Sequence, residues 1–325
     1  MGDGILLNTI HYWISQRIFI CVLLAMIAGY FYPLAPTPFL QKTIMILFAY
    51  MTFATALGTS FKEFLKVSRK PKIPLYILSI VHIVTPIVAW IAGRIFFPDN
   101  QYVQMGYLIS AMIPVGVTSI IWTSLVKGNV PVSLVTVTMD TILAPFLLPL
   151  FILLVAGVAI NINYSKMAFD LICMITLPSL IGMLLYDTTG GRTKSFAHGG
   201  GGILSKLSFF GVIFLNSAFV TPTIVWSPYI FKILAVTLLI VASGYMIGYL
   251  GSKLIHASHE MTLAIIYNTG MRNIVTGLVI ASSYFPPEVA VPIALSMLFQ
   301  QPLAAVTAKL YNTVFPYYRN ERTLP

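Results

Sequence analysis

The sequence predicts an all-α membrane protein of ten transmembrane helices, built as two inverted five-helix repeats, residues 1–160 and 161–325. Three observations carry that expectation. Of the 325 residues, 58% are hydrophobic and 9% charged, with a mean hydropathy of +0.89. A soluble domain covers its surface with about a quarter charged residues, so most of this surface must face lipid. The apolar residues also fall into ten runs, and about 20 apolar residues cross a hydrocarbon core. Finally, helix-breaking clusters interrupt the fourth and ninth runs near mid-depth.

In order, the first five runs are Ile18 to Pro33, Phe39 to Ser60, Ile73 to Phe97, Tyr102 to Val126 and Pro131 to Ala156. The second five are Ala168 to Leu185, Leu204 to Pro222, Pro228 to Leu254, Met261 to Tyr284 and Pro287 to Thr313. With both termini in the cytoplasm, fourteen of the nineteen basic residues fall on the inner side and only Lys42, Arg94, Lys166 and Lys232 on the outer. Arg272 is the one left within the membrane. An even number of spans satisfies the positive-inside rule, and a multi-pass location in the cell membrane is expected. Trp13, Trp90, Trp122, Trp226, Tyr317 and Tyr318 suit interface positions. The stretch Ile5 to Gln16 reads as an amphipathic helix on the inner surface.

Several classes are set aside. The net charge of +10 is scattered in short clusters between apolar runs, so it marks topology and not a nucleic-acid face. Cys21 and Cys173 both lie in apolar runs and offer no disulfide framework. Treating the first run as a cleaved signal would leave nine spans and spoil the charge pattern. The start MGDGIL lacks the Ser or Thr of a myristoylation signal. Gly199 to Gly202 reads as a flexible cytoplasmic connector, since no strand precedes it and no Lys-Ser/Thr follows. His256-Ala257-Ser258-His259-Glu260 offers two imidazoles and a carboxylate, but not in HExxH order and not at membrane depth.

The two halves are weakly alike. VPVSLVTVTMD from Val130 meets VPIALSMLFQQ from Val291, which pairs Asp140 with Gln301. Just before these, Pro114-Val115-Gly116-Val117-Thr118-Ser119 lies opposite Asn268-Thr269-Gly270-Met271-Arg272-Asn273. An odd number of spans per repeat makes the repeats inverted. Breaks free backbone groups that can stay unpaired only beside a cavity, and matched breaks in inverted halves point to a substrate site. Pro114, Gly116 and Gly270 are the expected backbone of that crossing.

Over nearly its whole length the chain resembles the bile acid/sodium symporter superfamily, most specifically in GVTSIIWTSLVKGNVPVSLVTVTMDTILAPFLLPL from Gly116 and NTGMRNIVTGLVIA from Asn268. The resemblance implies crossing broken helices four and nine in a core of spans three to five and eight to ten. That core would move against a panel of spans one, two, six and seven, with substrate bound between them. It also implies a secondary transporter of small organic anions by alternating access, not an enzyme. Ser119 and Ser133 match hydroxyl ligands of the family's first sodium site, but Ile120 stands for an expected asparagine and Val137 for an expected threonine. On span nine, Asn268 replaces the family's glutamate and Arg272 its glutamine. A glutamine the family carries on span three falls at Val81, beside His82 and five residues before Pro86. A guanidinium opposes a nearby sodium ion, so the sodium site is expected to be lost or altered, leaving proton coupling or exchange.

Asp140 stands about 14 Å into span five and Arg272 about 16 Å into span nine, near the bilayer centre where charge is costly unless paired. The expectation is that Arg272 fills the volume of the missing sodium and forms an ion pair or shared hydrogen bonds with Asp140, holding the crossover together. Ser119, Ser133, Asp140, Asn268, Thr269, Met271, Arg272 and Asn273 are the candidate ion- and substrate-binding residues. Asp170 lies near the outer end of its span and is given no role. The runner-up, an arsenite-type exporter of the same superfamily, would need a thiolate where Val115 stands. An intramembrane enzyme is the alternative from another class. The partners implied are a small organic anion and the bilayer; no cofactor motif is present, and the sequence sets no oligomeric state.

Overall fold

The computed structural model describes residues 18–62, 65, 71–156, 163–220, 222 and 227–314. The expected amphipathic helix at 5–16 and the aromatics Trp13, Trp226, Tyr317 and Tyr318 lie outside the described residues.

Helix α1 spans Ile18–Phe31 and α2 Pro38–Ala56, the latter opened by the Thr37 side chain, which accepts from the Leu40 amide. Helix α3, Lys72–Phe96, contains a π-helical turn at Ile80–Val84. Helices α4 (Gln101–Met112) and α5 (Thr118–Leu125) flank the first break, and α6 follows over Val130–Ala156. Helix α7, Tyr164–Thr188, carries a second π turn at Ile172–Thr176. The short α8 (Thr193–His198) leads to α9, Gly200–Val220, and α10 covers Pro228–Leu254. Helices α11 (His259–Gly270) and α12 (Ile274–Tyr284) flank the second break, and α13 runs over Pro287–Val314. Among the described residues, seven helices are long and apolar enough to cross a membrane: α2, α3, α6, α7, α9, α10 and α13.

Each π turn has a local cause. Pro86 and Pro178 sit two residues beyond the two π segments. Proline has no N–H to give and crowds the carbonyl four residues back, so the helix widens ahead of it. In α3 the Thr85 amide consequently reaches the Ile80 carbonyl, five residues back. The widened turn changes which side chains face inward, and His82 becomes buried.

Two packing groups follow from the contacts. Helices α1 and α2 lie on α9, and α7 lies on α2. In the other group α10 packs on α11 and α13, α4 on α3 and α13, and α5 on α6 and α11. The groups meet where α6 touches α7 and where α9 touches α12 and α13. Large apolar side chains such as Leu24, Ile46, Ile87, Leu154, Leu239 and Leu310 stay exposed around the outside, as a lipid-facing surface requires.

The glycine run is helical, not a loose connector: Gly200–Gly202 form the first turn of α9, where the Gly201 carbonyl accepts from the Tyr50 hydroxyl at 3.1 Å. Trp122 is likewise no interface anchor. It stacks on Tyr267 with centroids 5.9 Å apart and donates through its indole to Gln301 at 2.7 Å. Asp170 accepts from the Tyr284 hydroxyl at 2.5 Å and lies 3.7 Å from Lys166. It therefore ties α7 to the end of α12.

The packing of α10 on α11 depends on Gly248 of α10, where a Cβ would stand 2.8 Å from the Ile266 Cα of α11. Forcing backbones apart in a packed site costs about 1–3 kcal/mol. Gly248→Val is therefore expected to lower the thermal midpoint of the detergent-solubilised protein, read by loss of the monodisperse peak on heating. Gly200→Val, where a Cβ meets nothing within 4 Å, should leave it nearly unchanged.

Candidate functional site

The two breaks meet. Val115 and Arg272 form an isolated antiparallel bridge. The Gly116 amide donates to the Met271 carbonyl at 3.0 Å, and the Asn273 amide donates to the Pro114 carbonyl at 2.8 Å. Backbone freed from helix by proline and glycine is thus satisfied across the break, as a buried segment away from water demands. The approach requires Gly116, where a Cβ would stand 2.8 Å from the Arg272 carbonyl oxygen. Gly270 likewise faces the Tyr245 ring, which a Cβ would strike.

Two side chains satisfy the outward-facing amides of this bridge. The Val115 amide donates to Asp140 Oδ2 at 2.7 Å. The Arg272 amide donates to Gln300 Oε1 at 2.8 Å, while Gln300 Nε2 donates back to the Arg272 carbonyl at 3.1 Å. The Gln300 carbonyl in turn accepts from the Tyr245 hydroxyl at 2.7 Å. Asp140 and Gln300 therefore do matching work on the two sides. Repeat alignment in sequence pairs Asp140 with Gln301, one residue too far; Gln301 serves Trp122 instead.

The expected ion pair between Asp140 and Arg272 is not what the structure contains. Asp140 is fully buried, and its other oxygen lies 2.6 Å from His82 Nε2. The Arg272 guanidinium donates through Nη2 to Thr85 Oγ1 at 2.7 Å and, at 3.5 Å, to the Val81 carbonyl. The π turn explains the difference: it turns His82 toward α6 and leaves the Val81 carbonyl and Thr85 facing the arginine. Arg272 is only 8% exposed, and its Nη1 has no hydrogen-bond partner. His82, 5% exposed, likewise has an unpartnered Nδ1.

A second polar cluster lies beside the first, closed on itself. Ser119 Oγ donates to Asn268 Oδ1 at 3.2 Å, Asn268 Nδ2 donates to Ser133 Oγ at 2.6 Å, and Ser133 Oγ meets Thr123 Oγ1 at 2.9 Å. All four side chains are wholly buried. Asn268 Nδ2 also donates to the Ala264 carbonyl at 2.7 Å, so the amide N–H₂ lies between the Ser133 hydroxyl and a backbone carbonyl while its oxygen takes the Ser119 hydroxyl. Of the other sequence candidates, Thr269 is buried with its hydroxyl unpartnered, Met271 packs with Tyr245 and Tyr267, and Asn273 caps α12 through the Thr276 amide at 3.4 Å. Sequence reasoning missed Thr85, Thr123 and Gln300. Thr85 and Gln300 each precede a proline, at 86 and 302, by two residues or fewer, a cue available in the sequence.

The other readings find no support among these residues. Cys21 lies in α1 and Cys173 is exposed on α7, so no thiol stands at the break. Among the described residues no three His, Cys, Asp or Glu side chains group to hold a metal. Ser258 caps α11, and His259 Nδ1 sits 3.3 Å from the Tyr311 hydroxyl. Burial holds the His259 imidazole below its usual range, opposed by the charge of Glu260.

Residues 45–247 match the model of the sodium bile acid symporter family. The chain belongs to that family. This family member is 34% identical to the uncharacterized protein YbaS of Bacillus subtilis over 82% of its own length and 87% of the relative's. It is 24% identical to the uncharacterized sodium-dependent transporter YocS of the same organism, over 89% of each chain. It is 26% identical to the hepatic sodium/bile acid cotransporter of Rattus norvegicus, over 79% of this chain and 74% of the relative. The symporter-family protein is accordingly a multi-pass membrane transporter and not an enzyme.

The register of the second break can be checked directly. Gln300→Leu strips two hydrogen bonds from buried backbone, and leaving buried groups unsatisfied costs about 1–3 kcal/mol each. It is expected to destabilise the purified protein clearly more than Gln301→Leu, which unpairs only the Trp122 indole. Thermal midpoints of the two variants in one detergent make the comparison.

Proposed function

We propose that this protein is a secondary active transporter of small organic anions in the cell membrane, working by alternating access without sodium. The observation that carries the reading is the buried Arg272 at the junction of two broken helices, with Nη1 free for an anionic group. The first turns of α5 and α12 begin at the same junction, and helix N-termini favour negative charge.

Alternating access would come from inverted repeats 1–160 and 161–325, with ten spans and both termini cytoplasmic. The packing of α1, α2, α7 and α9 supports a panel, and that of α3 to α6 with α10 to α13 a core that rocks against it. Substrate would bind at the crossing of the broken helices, in contact with the core face that carries Arg272. Relatives named for sodium dependence leave the coupling ion of this chain open. Here a guanidinium and the Asn268 amide take the positions that the resemblance assigns to sodium ligands; the guanidinium is donor-only, and the amide replaces a carboxylate by a neutral group whose N–H₂ is committed to Ser133 and Ala264. Asp140, Ser119 and Ser133 then act as the frame holding these donors, and Thr269, Met271 and Asn273 line the second break.

Purified protein in liposomes should accumulate labelled organic carboxylates or sterol conjugates equally well when choline replaces sodium on both sides. Arg272→Gln should reduce that uptake at least about tenfold, the cost of losing one charge-assisted hydrogen bond of about 1.5–3 kcal/mol. Strict dependence on an inward sodium gradient would overturn the sodium-free reading.

A further inference from the structure

We propose that His82 and Asp140 form a proton-binding site whose proton travels with a monoanionic substrate, one for one. The inference rests on the transporter reading above and supplies its missing mobile cation.

The chemistry starts from the carboxylate. Asp140 accepts from the Val115 amide with one oxygen and faces His82 Nε2 at 2.6 Å with the other. Within the proposal Asp140 is a carboxylate, with Nε2 donating to Oδ1 and Nδ1 keeping a lone pair. That Nδ1 is buried and meets no donor. The ring itself is held by stacking on Phe151 of α6, with centroids 6.3 Å apart and planes 8° from parallel. His82 is thus a fixed imidazole with one vacant basic atom. A proton arriving at Nδ1 makes an imidazolium that keeps its Nε2–H on Asp140; no bond to carbon, sulfur or metal changes.

Charge decides what must accompany it. The titratable and charged groups on the elements packed around His82 are few. From α6 comes Asp140, and from the second break Arg272, which donates to Thr85 one turn along α3. From α4 and α10 come Tyr107 and Tyr245, whose hydroxyls donate to the carbonyls of Ile233 and Gln300. From α11 comes Tyr267, which donates to Ala304, while His259 and Glu260 lie at that helix's far end. On α3 itself, Tyr76 donates to Gly251 and Arg94 lies over Trp90. With neutral His82 the buried centre holds Asp140 and Arg272 and sums to zero. With imidazolium it carries one net positive charge in an apolar surround, which is costly until an anion joins it. Arg272 Nη1, likewise buried and unpartnered, is the donor that the anion can take. Proton and anion therefore each raise the affinity for the other, and the loaded centre is neutral again.

Sodium-free liposomes holding the full chain test this with labelled pyruvate and taurocholate as probes. An inward proton gradient should drive accumulation by about tenfold per pH unit, the limit for one proton per anion, and a potassium diffusion potential set with valinomycin should add nothing. In His82→Gln the ratio of uptake with and without the gradient should fall to about one. Wild-type uptake indifferent to the gradient, or the same ratio in His82→Gln, overturns the proposal. If neither probe is carried, the transporter reading fails separately, and the proton site is read on purified protein by ¹⁵N-histidine solid-state NMR, with His82→Gln giving the assignment. The expected result is a ring that is Nε2-protonated at alkaline pH and gains Nδ1–H on acidification. A His82 signal that stays in one form across the pH range in which the protein remains folded overturns it.

Discussion

Everything in the centre of this protein depends on one constraint: backbone interrupted inside a bilayer must find partners within the protein. Helices α4 and α5 end and restart around Pro114 to Val117, and α11 and α12 around Met271 to Asn273, so several amides and carbonyls leave their helices at depth. They satisfy each other through the bridge between Val115 and Arg272, and Asp140 and Gln300 take the amides that remain. With no water available, each such group left bare would cost several kcal/mol. A carboxylate at the bilayer centre is tolerable for the same reason, since its two oxygens are spoken for by an amide and an imidazole.

The bridge also determines where positive charge stands. Because Arg272 is itself a bridge residue, its side chain leaves from a fixed point and reaches across to Thr85 and the Val81 carbonyl on the π turn of α3. The Asn268 amide, one helical turn earlier, is held just as firmly between Ser119 and Ser133. A guanidinium and a hydrogen-bonded neutral amide thus occupy a centre whose hydroxyls resemble the ligands of a mobile ion. In the proposed function that arrangement attracts an anion, and the driving force comes from something other than a bound metal.

Much of this was legible in the sequence because membranes impose simple rules. Apolar runs gave helix positions to within a few residues, and Pro114, Gly116 and Gly270 marked the breaks, since few other reasons put such residues at mid-depth. What was not legible was azimuth. Asp140 and Arg272 share a depth, which suggested a pair, but depth says nothing of which way a side chain points around its helix. The extra residue in the π turn before Pro86 rotates the chain that follows it by about 100°, one residue's share of a helical turn. That rotation brings His82 to Asp140 and Thr85 to Arg272. In the same way a shift of one residue on α13 exchanged Gln300 for Gln301, and periodicity in so uniformly apolar a helix could not have distinguished them.

In the proposed function, Arg272 and Asn268 fill the places where a sodium ion would have to bind. Equilibrium binding of ²²Na⁺ to the purified transporter, in choline chloride with and without excess unlabelled NaCl, tests it most directly. Neither saturable binding nor thermal stabilisation specific to sodium over choline is expected. Saturable binding at about one ion or more per chain, abolished by Ser133→Ala, would contradict it.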